Sequence, residues 1–494
     1  MIRGFIKELL QYTPSQVVPA LVGLLAIPIV TRLFPPGDYG YYSLVIATVN
    51  ILITVAVGWL SMSIIRFYPA YERGGEVGEF QGSVVRILLI SVACGSALFL
   101  GVLYAIKPYL SSQLWKLMMI GVLLFFLLAI FQVIQHFLRS KHRVNWYSGF
   151  QVWYKVASFG IGIALIVGLN FGIDGLLWGC VVSTAIAFPL LWKTALGGEG
   201  VLETKGIMTG LPREMAKYGF PLVAGNLAAW ILSVSDRYIL ELFKGPQEVG
   251  IYSAVYAISE ASVLLAASLF TYSSAPISID IWERDGVEKA QEFINKLTRY
   301  YIIFCLPVAV GLAALAKPAV ALLVASEYRE GYRIVAFVVF GGFLLGLQQR
   351  YQSGLIFHKK TPHIMLATVA SALLNVGLNF WLVPIYGYMA AAFTTLVSYA
   401  FLLIGMIVFS RKHFTFEFPY KSCGRAVLAC LVMGAAAYWV GEYATSSNVV
   451  NLFSGIIVGI LVYFAMLGIL GEFRAEEIEA LKSALRKITG RSSE

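Results

Sequence analysis

Charge is what this sequence has least of. Of 494 residues only 13% are Asp, Glu, Lys or Arg, where a soluble protein carries roughly 25%. That shortage excludes a water-soluble fold. Cysteine is also scarce. Cys94, Cys180, Cys305, Cys423 and Cys430 lie mostly within apolar runs and form no Cys-x-x-Cys pair. Neither a disulfide frame nor a thiolate metal site is implied. The five histidines are scattered and make no His-x-x-x-His or His-Glu-x-x-His pair. No cofactor is expected, and no catalytic carboxylate or histidine cluster of a membrane-bound transferase stands out. Strict alternation over about ten residues, the mark of a membrane-spanning strand, is missing too.

What is present is apolar. Hydrophobic residues make up 59% of the chain and the mean hydropathy is +0.77. Forty-six glycines suit helices that pack closely in lipid. The expected class is an all-α integral membrane protein. At about twenty apolar residues per crossing, fourteen spans are expected. They begin near Pro14, Tyr41, Val84, Trp115, Asn145, Ile173, Tyr218, Gly250, Leu297, Tyr332, His363, Gly387, Cys423 and Val449. The first run, Val17–Leu33, has no small-residue cleavage site near it and reads as a retained span.

The net charge of +10 raises the question of nucleic acid. The bases instead gather in alternate loops: Arg139, Lys141 and Arg143; Lys193 to Lys217; Arg284, Lys289 and Lys296; Lys359 and Lys360; Arg411, Lys412, Lys421 and Arg425. That is the pattern of positive-inside orientation. No nucleic-acid partner is expected, and both termini are expected on the cytoplasmic side of the cell membrane. The stretch from Ser278 to Lys296 reads as a solvated loop of mixed charge. The tail from Glu472 reads as a surface-lying amphipathic helix.

The chain repeats itself. "LFPPGDYGYYS" around Gly40 returns as "LFKGPQEVGIYS" around Gly250, at an offset of 210. Lys107-Pro108 and Lys317-Pro318 keep the same offset, and "LNFGIDGLLWGCVVS" returns as "VPIYGYMAAAFTTLVS". Each repeat spans six helices, an even number, so both copies enter the membrane from one side. The expected organisation is an N-lobe at 1–195, a cytoplasmic linker at 196–217 and a C-lobe at 218–410. Two further spans at 411–471 and the tail at 472–494 complete it. Two parallel lobes suit alternating access in a transporter.

Three segments carry a family resemblance. They are "PALVGLLAIPIVTRLFPPGDYGYYSLV", "VSDRYILELFKGPQEVGIYSAVYAISE" with Asp236-Arg237, and "ASALLNVGLNFWLVPIYGYMAAAFTTLVSYA" with Asn375, Asn379 and Pro384-x-x-Gly387. In order and over nearly the whole chain, the sequence resembles the Wzx-type polysaccharide flippases. These belong to the superfamily shared with MATE exporters and lipid II flippases. The resemblance implies transfer of an oligosaccharide on undecaprenyl pyrophosphate across the cytoplasmic membrane. The implied partners are a coupling ion, H+ or Na+, and a downstream polymerase; no enzyme activity is implied. A MATE-type drug or cation antiporter and a lipid II flippase are the rival readings.

Such a substrate needs aromatic and hydrogen-bonding groups for its sugar and positive charge for its diphosphate. Charges inside spans cost about 2.5–3.5 kcal/mol each on insertion scales, which makes them candidates. Arg32, Arg66, Lys155, Arg237 and Arg350 are the expected diphosphate contacts. Interface anchoring is an equally plain use of Arg32, and positive-inside anchoring explains Arg66 adequately. Gln132, Asn375 and Asn379 are expected to add polar contacts, the two asparagines sharing one helix face. Helix–helix hydrogen bonding is the other use of that pair. Glu260 and Asp236 are the candidates for ion coupling. Some of the 27 tyrosines would stack on sugar, but the sequence does not separate these from interfacial ones.

Overall fold

Long apolar runs broken by Pro, Gly and short polar turns dictate a chain of helices. The computed structural model describes residues 2–197, 206–271, 274–473 and Glu477. Their side chains are described from Pro14 onward except at 16, 264, 265, 268, 269, 271 and 274–276. The helices are α1 (Ile2–Leu33), α2 (Pro36–Gly74), α3 (Val77–Ile106), α4 (Ser112–Ser140), α5 (Val144–Leu169), α6 (Asp174–Leu196), α7 (Leu211–Lys244) and α8 (Pro246–Thr271). There follow α9 (Ser274–Asp285), α10 (Val287–Ala314), α11 (Ala316–Leu323), α12 (Val335–Phe357), α13 (Thr361–Tyr386), α14 (Tyr388–Ser410), α15 (Tyr420–Tyr443) and α16 (Asn448–Ile469). No strand occurs among the described residues.

Twelve helices among the described residues are long and apolar enough to cross a membrane. Fourteen spans were expected; the other two fall on the apolar end of α1, Val17–Leu33, and on α8. The stretch expected as a charged loop, 278–296, is helical instead. It forms most of α9 and the first turns of α10. Two intrahelical pairs four residues apart, Arg284–Asp280 in α9 and Lys296–Glu292 in α10, support helix in this charged sequence, and Lys289–Asp285 bridges the break between them at Gly286. The expected amphipathic tail lies outside the described residues, apart from Glu472, Phe473 and Glu477. So does most of the linker's first half.

Caps follow the local sequence. Pro35 is extended (φ −66°, ψ 161°) and Pro36 opens α2, where a missing N–H costs nothing. Gly75 closes the same helix in the left-handed region (φ 76°), with the Glu76 N–H returning to the Tyr71 carbonyl. Ser111 caps α4 by accepting from the Leu114 N–H at 3.2 Å.

The described chain forms two compact units, 1–258 with 365–398, and 259–364 with 399–494. The units do not coincide with the two sequence repeats, because α7 and the beginning of α8 fall in the first. In that unit α4 is the most enclosed span: 72% of its apolar stretch is buried, against 17% for α5. Small residues join α5 to α6. A side chain at Gly179 would collide with the Ser158 carbonyl, and Ser158 and Ser183 share a hydroxyl hydrogen bond of 2.7 Å. This is close packing of the kind lipid rewards. The α2–α7 contact is built the same way. Gly219 abuts the Trp59 backbone, and Ser63 donates to the Met215 carbonyl at 3.0 Å.

In the second unit, α10 packs on α12 and α15. Trp282 of α9 stacks on Phe357 at 4.9 Å, beside a small core of Ala290, Ile294, Phe357 and Phe414.

Candidate functional site

The two copies of the repeated turn meet each other inside the first unit. The Pro36 carbonyl sits where a Gly250 side chain would be, and the Pro246 carbonyl where a Gly40 side chain would be. Glycine is required at both positions because backbone occupies the space. Ser43 donates to Ser253 at 2.9 Å. Thr48 and Tyr238 share a hydrogen bond of 2.8 Å. Pro36 with Pro246, Gly40 with Gly250 and Ser43 with Ser253 each pair one repeat with the other at the offset of 210.

Asp236 and Arg237 lie beside this junction on α7. Neighbours on a helix point in different directions, and these two do. Asp236 is 1% exposed. Its carboxylate accepts from the Tyr252 hydroxyl of α8, from the Arg237 backbone N–H at 2.8 Å and from Thr395 of α14 at 3.4 Å. Arg237 is half-buried. Its Nε donates to Ser253 at 3.3 Å. Its guanidinium carbon stands 5.9 Å from the Tyr252 ring and 5.3 Å from the Tyr256 ring, within cation–π range.

Asn375 and Asn379 are wholly enclosed. Asn379 Nδ2 donates to Asn375 Oδ1 at 2.9 Å, and Thr394 donates to Asn379 Oδ1 at 2.7 Å. Asn375 Nδ2 donates to Thr395 at 3.4 Å, and Ser235 to Asn375 Oδ1 at 3.4 Å. A continuous polar chain thus links α7, α8, α13 and α14. The two asparagines share one face, as their spacing predicts, and that face is turned to neighbouring helices. Each amide oxygen is engaged, so both residues bond helix to helix.

Tyrosines extend the cluster away from Arg237. Tyr39 and Tyr238 lie within the electrostatic reach of Arg237. The Tyr39 and Tyr42 rings are 6.0 Å apart. Cys180 lies within electrostatic reach of both Tyr42 and Tyr154, and Lys155 reaches Cys180. Lys155 itself is exposed. A band of half-buried tyrosines, Tyr39, Tyr42, Tyr154 and Tyr238, therefore has Arg237 near one end and Lys155 near the other. The sequence carried one signal for part of this band: Tyr-Ser recurs at the repeated turn.

The remaining candidates stand elsewhere. Arg32 is exposed and its NH1 donates to the Pro28 carbonyl at 2.7 Å. Arg66 is exposed at the far end of α2. Gln132 is half-buried on α4, three residues from Gln135, which accepts from Gln151 at 2.7 Å. Arg350 and Glu260 belong to the second unit. Arg350 is 4% exposed, donates to the Phe270 carbonyl at 3.0 Å and stands 5.5 Å from the Tyr301 ring. Glu260 is exposed.

One charged group was not singled out in the sequence. Arg299, 4% exposed on α10, grips Glu472 at 2.8 Å and also pairs with Glu477. Ser422 lies 3.2 Å from its Nε, and Arg425 reaches the other Glu472 oxygen at 3.2 Å. Burial raises the Glu472 carboxyl, but hydrogen bonds from Ser422, Arg299 and Arg425 outweigh it and hold the group below its ordinary range. The sequence offered little signal, because Arg299 falls at the very start of the span expected from Leu297; its acidic partners lie some 170 residues away.

Residues 5–282 match the family described as polysaccharide biosynthesis protein. The chain belongs to that family. Among curated relatives of this polysaccharide biosynthesis protein, a "Probable flippase AglR" of Haloferax volcanii is 22% identical over 366 residues. That match covers 72% of the chain and 74% of the relative. An "Uncharacterized membrane protein MJ1068" of Methanocaldococcus jannaschii is 22% identical, with 99% of both chains covered. Among solved structures, a lipid II flippase MurJ in an inward closed conformation superposes with a TM-score of 0.75 at 18% identity, covering 93% of this chain and 98% of that one. An inward-facing MATE-family transporter gives 0.65 at 14% identity, covering 81% and 97%. The protein is therefore a multi-pass membrane polysaccharide biosynthesis protein with the fold of flippases and exporters. Those relatives and structures whose names carry an activity are flippases and transporters, not catalysts.

Proposed function

We propose that the protein is a flippase for a lipid-linked oligosaccharide, carried as its undecaprenyl pyrophosphate and delivered from the cytoplasmic leaflet for surface glycan assembly. The observation that carries this reading is the tyrosine band with Arg237 and Lys155. Tyrosine rings offer faces and hydroxyls to a sugar, and the two bases offer charge-assisted hydrogen bonds to a diphosphate. The family match and the flippase relatives point the same way.

The two six-helix repeats act as lobes that alternate access, with termini cytoplasmic by the distribution of Lys and Arg. Arg32, Arg66 and Gln132 line the route in the first unit, while Asn375 and Asn379 hold its wall; Arg350, in the second unit, is engaged by the Phe270 carbonyl. Glu260 and Asp236 carry the coupling proton. A bias toward bases over acids among the intramembrane charges favours an anionic cargo over the cations of a drug exporter.

The test is transport of a labelled undecaprenyl-pyrophosphate oligosaccharide in proteoliposomes. Arg237→Ala and Lys155→Ala are each expected to slow it about tenfold or more, the scale of a lost charged hydrogen bond. Collapse of the pH gradient is expected to slow the native protein. Unchanged rates in both variants would sink the assignment of the band, and indifference to the gradient would sink proton coupling.

A further inference from the structure

Two turns made equivalent by the sequence repeat use their bases differently. The α4–α5 turn carries Arg139, Lys141, His142 and Arg143, with His142 in the left-handed region (φ 54°). Lys141 Nζ donates to the Ala195 carbonyl at 2.7 Å and Arg143 NH1 to the Thr194 carbonyl at 2.8 Å, closing the C-terminus of α6. Arg139 and Lys141 also lie 5.5 and 5.8 Å from the rings of Tyr147 and Tyr68. Each base in that turn has a carbonyl or a ring to answer it.

The α12–α13 turn has the same left-handed geometry at Lys359 (φ 56°), but its bases are not answered. Lys359 and Lys360 are exposed, as are Arg411 and Lys412 just past α14. Among the described residues none of these four makes an ion pair or a side-chain hydrogen bond. Glu417, the acid of the 411–419 loop, pairs with none of them. Three of the five histidines crowd into the same place. The His413 ring is 5.7 Å from His358 and 6.1 Å from His363. Burial lowers the His413 pKa, and Lys360, His358, His363 and Lys412 lower it further, so these four lie within electrostatic reach of His413. Like charges held together without a counter-ion cost energy unless an anion joins them.

The setting says which anion. The cluster lies where three apolar spans end, the depth at which lipid head groups sit. The N-terminus of α13, a 26-residue helix, favours an anion while the C-termini of α12 and α14 oppose it, so the side-chain bases carry the attraction. Beneath the bases is an apolar floor. Trp282 stacks on Phe357 and meets the His358 ring at 4.9 Å, beside buried Phe414. Basic pockets at the ends of spans are suited to phosphate head groups with acyl chains alongside.

We propose that Lys359, Lys360, Arg411 and Lys412 form a binding site for the phosphate of an anionic membrane lipid at the ends of α12, α13 and α14. The site is distinct from the tyrosine band and does not depend on what the protein transports.

The full chain in detergent is titrated with phosphatidylglycerol and, separately, with phosphatidylcholine. Binding is followed by native mass spectrometry and by the shift in Tm. Phosphatidylglycerol is expected to bind and raise Tm, and phosphatidylcholine is not. Lys359→Gln/Lys360→Gln/Arg411→Gln/Lys412→Gln is expected to weaken binding about tenfold or more. Lys360→Gln/Arg411→Gln is measured alongside, so that a folding failure of the quadruple variant does not remove the test. The control is Arg284→Gln/Lys289→Gln/Lys296→Gln, whose bases already have acidic partners; it is expected to bind normally. Equal loss in control and site variants, or equal binding of the two lipids, overturns the site. Full displacement of phosphatidylglycerol by inorganic phosphate assigns the cluster to a free anion and overturns the lipid.

Discussion

Ser43 donates its hydroxyl to that of Ser253 at 2.9 Å, across 210 positions of chain. The two serines occupy the same place in the two repeats, and the glycines three residues before them are pressed against each other's turns. The echo in the sequence is thus a physical contact between its two copies.

That contact is expected to be intolerant of a single methyl group. Gly40→Ala or Gly250→Ala puts a Cβ into a backbone carbonyl, which cannot move aside as a flexible side chain would. Ser43→Cys/Ser253→Cys is expected to cross-link on mild oxidation, and adding Gly250→Ala to reduce the yield sharply. Undiminished cross-linking in the triple variant would show that the turns part easily.

The enclosed polar chain through Asp236, Thr395, Asn375 and Asn379 makes a second expectation. Asp236→Ala takes from the buried Tyr252 hydroxyl the carboxylate it donates to and is expected to cost about 1–3 kcal/mol of stability, the penalty for an orphaned buried polar group. Asn379→Ala is expected to cost less, about 1 kcal/mol, because Thr394 keeps the Ala391 carbonyl at 3.0 Å as acceptor. Arg32→Ala, at an exposed site bonded to its own helix, is expected to stay within about 0.5 kcal/mol. Thermal unfolding in detergent separates the two outcomes.

Tyrosine ring and tyrosine hydroxyl are separable at Tyr256, the buried ring that faces Arg237 at 5.3 Å. Tyr256→Phe is expected to keep the cation–π contact and most transport. Tyr256→Leu removes the ring and is expected to weaken substrate binding about two- to fivefold, the scale of a partly exposed cation–π pair. Equal transport by the Phe and Leu variants would show that the ring does not matter.

Acid is expected to loosen the start of the C-terminal segment from α10. The folded Glu472 carboxyl lies below its ordinary range, so its stabilisation is fully present above the unfolded value. It is lost as pH falls through the lower, folded value, which means below about pH 4. Arg299→Ala removes one of the two bases that hold Glu472 and leaves Arg425 at 3.2 Å, so it is expected to cost about 1–3 kcal/mol, the scale of a lost charged hydrogen bond. Hydrogen exchange at residues 470–473, followed against pH in the native protein and the variant, reports both effects. A flat pH profile in the native protein would count against the clamp.

Membrane class, span positions and the repeat were legible because each depends on local composition or on comparison of the chain with itself. A run of twenty apolar residues spans wherever it occurs, and Pro-Gly turns end it. The spacing of Asn375 and Asn379 likewise announced a shared helix face. The 278–296 stretch misled because mixed charge reads as solvated loop, whereas charges four apart support a helix.

The side-chain partners were not legible, for a physical reason. Hydropathy says that a residue lies within a span but not which side of the helix meets lipid, a neighbour or a polar cluster. Asn375 and Asn379 turned inward to Thr394 and Thr395, and Arg299 found acids far along the chain. Only a few of 27 tyrosines gather between Arg237 and Lys155. What the sequence determined by itself is a helical membrane protein built on two copies of one turn. What only the tertiary structure decided is that those copies touch at Gly40 and Gly250, because contact across 210 residues depends on how helices pack and not on what any one segment prefers.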